Sequence, residues 1–587
     1  MKYLKKITIW FIKTVASIYL AMIIFFFAFL FFLGALIGVM SGGAEQPLPE
    51  KGHLVLSFSQ PLPETPTPKF DLATLSEKST CFFDLLYALN RAAEDQRING
   101  ILLDLDNWNL SKSQTTEVAS ALARFKASGK PTLAYGNYID NSNYNAAVAA
   151  DQIVMPQSAS AIFSLTGYHA AVPYYKELAD KLGVKVNVIH IGDFKSFGEN
   201  FSRSRMSANL RLELKKILDE IYFQRLNSIC DSRGIAEKML FRTQIEGGKF
   251  AVMTPTGAKM HQLIDDIDSL HNKKIELFQN SEAVELTKYC QTLRPSPSRQ
   301  NIAVVTLEGD IINDLPEDSL LGQSNYITPA KVSEICDEIV NDPTIKGVIL
   351  RVNSPGGSAL ASELILQELT RLTQTLPVYV SMGSTAASGG YYISAYASKI
   401  FAEKDTITGS IGVVSMIPDF SRTMQKIGIK IEPVTKGRHA DLNDFTTSSD
   451  PVKLKLLEKA MEQTYQEFLS RVAAGRKLDI NKLHNKLAQG RIWTGTQAKA
   501  NGLIDELGGL NEAIQQLTKE IGLTSWGYKV FPQKKNFLER IGSVDLQQSE
   551  VNLTTPVLKP FLPMLKNIER ARVYGGKPLT LLPLEEQ

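Results

Sequence analysis

Apolar residues in this chain gather in short continuous runs, and amphipathic stretches of helical length separate them. Asn301 to Leu307 (NIAVVTL) is apolar on both faces, the pattern of a strand buried in a parallel sheet. An amphipathic stretch near Ala330 to Val340 predicts a helix, and Gly347 to Val352 (GVILRV) predicts the next strand. After another helical stretch come a strand at Pro377 to Met382 (PVYVSM), a helix from about Tyr391 and a strand at Lys399 to Ala402. Strands alternating with helices predict βαβ units around a mostly parallel sheet, an α/β fold.

The same series occurs earlier in the chain. Gly52 to Phe58 (GHLVLSF) matches the opening strand, Gly100 to Leu105 (GILLDL) matches GVILRV, and Pro131 to Tyr135 (PTLAY) matches PVYVS. Ala150 to Ile153 falls where Ala397 to Ile400 falls, at an offset that stays near about 246 residues. Ala258 and Leu263-Ile264-Asp265 mirror Ala498 and Leu503-Ile504-Asp505, and Arg294 to Ser298 (RPSPS) reads as the linker. At 587 residues the chain exceeds what one core supports. The expected organisation is a tandem duplication, with repeats at 46–293 and 299–530 and a tail at 531–587.

Ahead of the first repeat, Thr14 to Met40 contains no charged residue, and Ile23 to Phe32 is almost wholly aliphatic or aromatic. That length crosses about 30 Å of hydrocarbon. It also exceeds the roughly 7–15 apolar residues of a cleavable signal peptide, so residues 14–40 are expected to be an uncleaved transmembrane anchor. Lys2, Lys5, Lys6 and Lys13 keep residues 1–13 in the cytoplasm by the positive-inside rule. Everything beyond the Gly42-Gly43 hinge then lies on the far side of the membrane. The formal net charge is +3 and no long basic run occurs, which argues against nucleic acid as a partner. The four cysteines are widely spread without a CxxC pair, so they read as inert thiols rather than metal ligands or a disulfide framework.

The two repeats differ where chemistry belongs. The second has Asn353-Ser-Pro-Gly-Gly357 and Ala386-Ala-Ser-Gly-Gly390, where the first has Asp106-Asn-Trp-Asn-Leu110 and roughly Ile139-Asp-Asn-Ser-Asn143. Conversely the first has Gly192-Asp-Phe-Lys195, where the second has Gly437-Arg-His-Ala440. Each repeat keeps half of something. Ser388 sits between a strand and a helix, where the helix dipole and free N–H groups favour developing negative charge. A serine hydroxyl needs a neighbouring base to become nucleophilic. The glycines of the 353–357 loop can aim N–H groups at a tetrahedral oxyanion, so Gly356 or Gly357 together with Gly389 is the expected oxyanion hole. None of the seven histidines lies near Ser388 in sequence, and the residue at 386 is alanine, which breaks the GxSxG elbow. Lys195, flanked by Phe194 and Phe197, is the expected base, since a lysine can act as one when burial removes its charge.

These motifs carry a family resemblance. NSPGGS, MGSTAASGGYYIS, Thr408-Gly-Ser-Ile-Gly412, GDFKSFGENFSR, Gly490-Arg-Ile-Trp-Thr-Gly495 and Gly502-Leu-Ile-Asp-Glu-Leu-Gly508 resemble the long, duplicated form of signal peptide peptidase A, the protease IV type. The resemblance implies tandem ClpP/crotonase-like domains and a serine–lysine dyad split between repeats. It places the nucleophile at Ser388, the base at Lys195 and a lysine-positioning serine at Ser410. It further implies no cofactor or metal, a homo-oligomer (a tetramer in the family) on the bacterial inner membrane, and hydrophobic peptides such as signal-peptide remnants as substrates. Two other readings stand beside it. One is a hydrolase pairing Ser388 with His439 or His484, and the other is a non-catalytic crotonase-like scaffold.

Overall fold

The structure, a computed structural model, describes residues 14–15, 17–32, 48–65, 69–71, 76–78, 80–293, 298–315, 325–448, 450–532 and 579–581. It divides into a small unit, residues 1–50 with 67–79, and a large one, residues 51–66 with 80–587. In the small unit, residues 14–15 and 17–32 are helical with mostly exposed side chains, and Lys69–Asp71 pairs antiparallel with Ser76–Lys78. Among the described residues no helix is long and apolar enough to cross a membrane, and much of the expected 14–40 anchor lies outside the described residues.

The first repeat builds β1 (Gly52–Phe58), β2 (Ile98–Trp108), α1 (Lys112–Lys126), β3 (Thr132–Tyr135), α2 (Asn141–Ala147), β4 (Gln152–Met155), β5 (Lys185–Ile191), α3 (Ala208–Arg233), β6 (Asp266–Ile267) and β7 (Glu282–Glu285). Its sheet runs β6-β4-β3-β2-β1-β7, with every pair parallel. The second repeat builds β8 (Asn301–Glu308), β9 (Ile345–Ser354), β10 (Gly356–Ser358), β11 (Val378–Ala387), α4 (Gly389–Ser394), β12 (Lys399–Ala402), β13 (Ile407–Gly409), β14 (Val413–Asp419), α5 (Pro451–Arg476), β15 (Ile492–Thr494), β16 (Glu506–Leu507), α6 (Leu510–Glu520) and β17 (Gly527–Phe531). Here the path β16-β12-β11-β9-β8-β17 is again parallel, so the two repeats share one strand order, and β13 joins β11 in parallel with β15 antiparallel beyond it.

The mirrored residues make mirrored bonds. The hydroxyl of Tyr144 donates to Leu263 O at 2.6 Å, and that of Tyr391 to Leu503 O at 2.8 Å. Ile153 N–H donates to the Asp265 carboxylate and Ile400 N–H to that of Asp505, both at 2.8 Å. Each aspartate thereby ties the segment after a helix to the strand β4 or β12.

The strands that approach the site run further than the apolar pattern indicates. β11 continues past Met382 to Ala387, and α4 begins at Gly389 rather than near Tyr391. Small residues from Gly383 to Ala387 hide this extension in the sequence, because β13 supplies new parallel partners for Thr385 to Ala387 where β12 ends. All ten residues of β11 are buried.

Several contacts join the repeats, among them a buried arginine cluster and a strand pair. Arg351 on β9 is fully buried and reaches both carboxylate oxygens of Glu64 at 2.9 and 3.0 Å and Glu117 on α1 at 2.6 Å. The second oxygen of Glu117 accepts the N–H of Leu510, the first residue of α6, at 2.7 Å. Burial pushes the Glu117 carboxyl up to about 7, with Arg351 opposing the shift. Second, β5 leaves its own repeat and pairs antiparallel with β14, from Lys185 opposite Asp419 to Ile191 opposite Val413.

Candidate active site

Ser388 occupies the junction between the last residue of β11 and the first of α4. Its backbone lies at φ 56°, ψ −114°, a conformation that costs a non-glycine residue about 1–3 kcal/mol and that clusters at functional sites. Surrounding bonds hold it there. Ser388 N–H donates to Gly409 O and its carbonyl accepts Tyr392 N–H, both at 2.8 Å. Gly390 packs so closely on β9 that a Cβ there would sit 2.6 Å from Ser354 O. The turn therefore needs glycine on its far side, and it aims the serine side chain at the end of β5.

Lys195 meets it there. The β5–β14 pairing ends at Ile191 opposite Val413, four residues before Lys195 and three residues after Ser410. That register brings a residue of the first repeat to two residues of the second. Lys195 Nζ lies 2.7 Å from Ser388 Oγ, 2.9 Å from Ser410 O and 3.0 Å from Ser410 Oγ. Lys195 is 1 % exposed, and Ser388 and Ser410 are fully buried. Burial drives the lysine well below its ordinary value, which favours the neutral amine. A neutral amine has two N–H donors and one lone pair. Ser410 O and Oγ accept the two donors, which leaves the lone pair for the hydroxyl of Ser388.

The structure thus brings together Ser388, Lys195 and Ser410. The glycines divide. Gly356 N–H is taken by Ser354 Oγ at 3.2 Å, while Gly357 follows in β10 and Gly389 opens α4. The strand Leu579–Leu581, here β18, pairs antiparallel with all three residues of β10 and with β14. A segment of extended chain therefore lies beside the glycine loop as an added strand. Neither histidine raised as an alternative base is a hydrogen-bond partner of Ser388 among the described residues. His484 Nδ1 faces Tyr465 Oη at 3.0 Å, and His439 sits in the Gly437–Ala440 turn. Phe197 is buried against Val414 and Met416, and Phe194 carries the Arg491 guanidinium 4.1 Å above its ring.

The turn 488–491 overlaps the glycine-bounded segment Gly490 to Gly495, to which the sequence assigns no role. Gln489 and Gly490 both take left-handed backbone, at φ 61° and 83°. Gln489 O accepts Phe194 N–H at 2.9 Å, Gly490 N–H donates to Ile411 O at 2.7 Å, and Arg491 O accepts Ser410 N–H at 2.7 Å. One turn thus grips both the lysine loop and the Ser410 loop. No pattern marks such a turn beforehand, because its partners come from elsewhere in the chain.

Residues 124–283 and 370–524 match peptidase family S49, so Lys195 falls in the first matched region and Ser388 and Ser410 in the second. The chain is 32% identical to Protease 4 of Haemophilus influenzae over 526 residues, covering 85% of this chain and 84% of that protein. It is 30% identical to Protease 4 of Salmonella typhi over 543 residues, covering 88% and 86%. A chloroplastic serine protease SPPA of Arabidopsis thaliana is 30% identical over 434 residues, covering 72% of this chain and 63% of that one.

Proposed function

This chain belongs to peptidase family S49 and is a serine peptidase, and we propose that it is a membrane-anchored endopeptidase that cuts apolar peptides with a Ser388–Lys195 dyad. The observation that carries this reading is the buried Lys195 amine 2.7 Å from Ser388 Oγ and within 3.0 Å of Ser410 O and Oγ. Neutral Lys195 takes the hydroxyl proton of Ser388 as Oγ attacks the peptide carbonyl carbon. The Gly389 N–H and the main chain of the Gly356-Gly357 loop stabilise the oxyanion. Lys195, now protonated, gives its proton to the leaving amine as the C–N bond breaks, which leaves an acyl-serine. Water repeats the sequence: Lys195 removes its proton, the acyl–oxygen bond breaks, and Ser388 regains its hydrogen.

An extended substrate is supported by β18, which shows that the β10 edge accepts a strand by main-chain pairing, a common mode of peptide recognition. Apolar specificity and membrane anchoring rest on the uncharged Thr14 to Met40 stretch, which would hold the site near a bilayer where signal-peptide remnants are found. In this reading the lysine-rich first residues stay in the cytoplasm and both repeats face the extracytoplasmic side.

The test is turnover of an apolar fluorogenic peptide by the full chain in detergent or vesicles, beside Lys195→Ala and Ser388→Ala. Loss of turnover in both folded variants is expected. Retention of near-normal activity by Lys195→Ala would sink the dyad and return attention to a histidine.

A further inference from the structure

The dyad is assembled from two repeats, so something must hold the lysine loop against the Ser410 loop. The turn 488–491 does so through the three backbone bonds given above, and the turn is itself pinned at one point from below. Gln489 N–H donates to Tyr465 Oη at 3.2 Å. Tyr465 lies on α5 and is 1 % exposed, inside the main core of the second repeat. Burial pushes its phenol up to about 12, so the hydroxyl keeps its hydrogen at neutral pH. Because the oxygen accepts Gln489 N–H, that hydrogen is free to go elsewhere, and His484 Nδ1 stands 3.0 Å away to receive it. The charged groups that act on the phenol are Glu462 and Asp193, which raise it, and Arg491, which lowers it.

The chain of contacts is short. His484 orients the Tyr465 hydroxyl, the hydroxyl fixes Gln489, and the Gln489 carbonyl holds Phe194 N–H, one residue from Lys195. At the other end of the turn, the Arg491 guanidinium donates to Ala488 O at 3.1 Å and lies over Phe194. Among the described residues none of these side chains is a hydrogen-bond partner of Ser388. A left-handed glutamine is a conformation the chain does not choose unaided, and the bonds of Gln489 to Tyr465 Oη and Phe194 N–H hold it there.

We propose that Tyr465, held by His484, is a positioning residue for Lys195 that acts through the Gln489–Gly490 turn. The inference rests on the dyad reading above. It predicts that loosening the turn lets Lys195 drift away from Ser410 toward water, so that the amine becomes easier to protonate.

The test compares the full chain with Tyr465→Phe, His484→Leu and His484→Gln, reading kcat and KM for an apolar fluorogenic peptide as a function of pH, with thermal unfolding in parallel. Phenylalanine keeps the ring in the core and removes only the hydroxyl. A loss of about tenfold in kcat is expected, within the range that small misplacements cost a reacting pair, while KM stays within about twofold. The acid limb of kcat/KM moves to higher pH, His484→Leu moves it the same way, and His484→Gln, which can still accept the phenol hydrogen, restores it. An unmoved limb in Tyr465→Phe overturns the proposal, whether kcat is preserved or falls together with thermal stability. A second readout keeps it separate from the peptidase reading. In protein carrying 13C-lysine, the Lys195 signal is assigned by its loss in Lys195→Met, and its titration midpoint is followed in wild type and Tyr465→Phe. If wild type cuts no peptide yet Tyr465→Phe raises that midpoint, the function fails and the positioning role stands. An unchanged midpoint overturns the positioning role whatever the activity.

Discussion

Gly490 offers a direct measure of how tightly the lysine loop must be held. A Cβ placed there would lie 2.4 Å from the backbone nitrogen of Lys195, 2.6 Å from its Cα and 2.7 Å from its Cβ. These are backbone atoms and a Cβ, so no flexible side-chain end can swing aside. Ordinary contact begins near 3.4 Å, so Gly490→Ala must separate the two segments by about 1 Å, and a displacement of that size at a reacting pair costs about 10²-fold. Moved by that amount, the 2.7 Å contact between Lys195 Nζ and Ser388 Oγ opens beyond hydrogen-bond range. The substitution also places an L-residue at φ 83°, which costs about 1–2 kcal/mol of stability. The two effects can be parted, because Gly502 has φ 84° but its nearest atom is a leucine side-chain carbon at 3.8 Å. Gly502→Ala therefore carries the strain without the crowding. With an apolar fluorogenic peptide, Gly490→Ala is expected to lose about 10²-fold in kcat, equal to about 2.7 kcal/mol of barrier. Gly502→Ala should lose stability alone. Near wild-type kcat in a folded Gly490→Ala protein would refute the idea that this turn sets the lysine position.

Three further outcomes follow from the same geometry. Burial in the fold holds the Lys195 amine well below its ordinary value and favours the neutral form, whereas in the unfolded chain it titrates near the ordinary 10.5. Between the lowered value and 10.5 the unfolded state binds a proton that the folded state does not, so stability rises with pH across that window. Lys195→Met should abolish turnover yet exceed wild type in denaturant stability at pH 7, the gap closing toward pH 10; a gap independent of pH would contradict this. Arg351→Met leaves Glu64 and Glu117 buried without their cation and should cost about 3–5 kcal/mol in denaturant unfolding, much of it regained when both glutamates are also changed to glutamine. Removing residues 579–587 frees the β10 edge, so KM for an extended apolar peptide should fall while kcat holds, and an unchanged KM would show that β18 does not compete with substrate.

Much of this protein could be read from the chain because the determining interactions are local or repeated. Buried parallel strands need apolar residues on both faces, so the runs at Gly52–Phe58 and Lys399–Ala402 were placed to the residue. Duplication doubled the signal, and the mirrored Asp265 and Asp505 do prove to make the same bond. The halves of the site were legible for the same reason. A lysine kept in one copy and a serine with its glycines kept in the other stand out against a shared background.

What the sequence could not show was how the halves meet. That depends on the β5–β14 register, where strands more than two hundred residues apart pair antiparallel, and a slip of one residue would turn Lys195 away from Ser388. The longer reach of β11 was hidden because small residues carry no apolar signal, although their neighbours bury them completely. Arg351 is the one charged residue in the apolar run GVILRV, and only the fold closes Glu64 and Glu117 of the first repeat over it. Gly490 stood out only as part of a glycine-bounded segment, and neither the grip of the turn 488–491 nor its anchor Tyr465 was marked. Their geometry is fixed by backbone hydrogen bonds, which every residue can make and which therefore leave no trace in residue identity. The sequence determined the repeats and the chemical groups each one contributes. Only the tertiary structure decided that a buried amine would face a serine hydroxyl at 2.7 Å, because that distance is set by strand register and close backbone packing between distant segments.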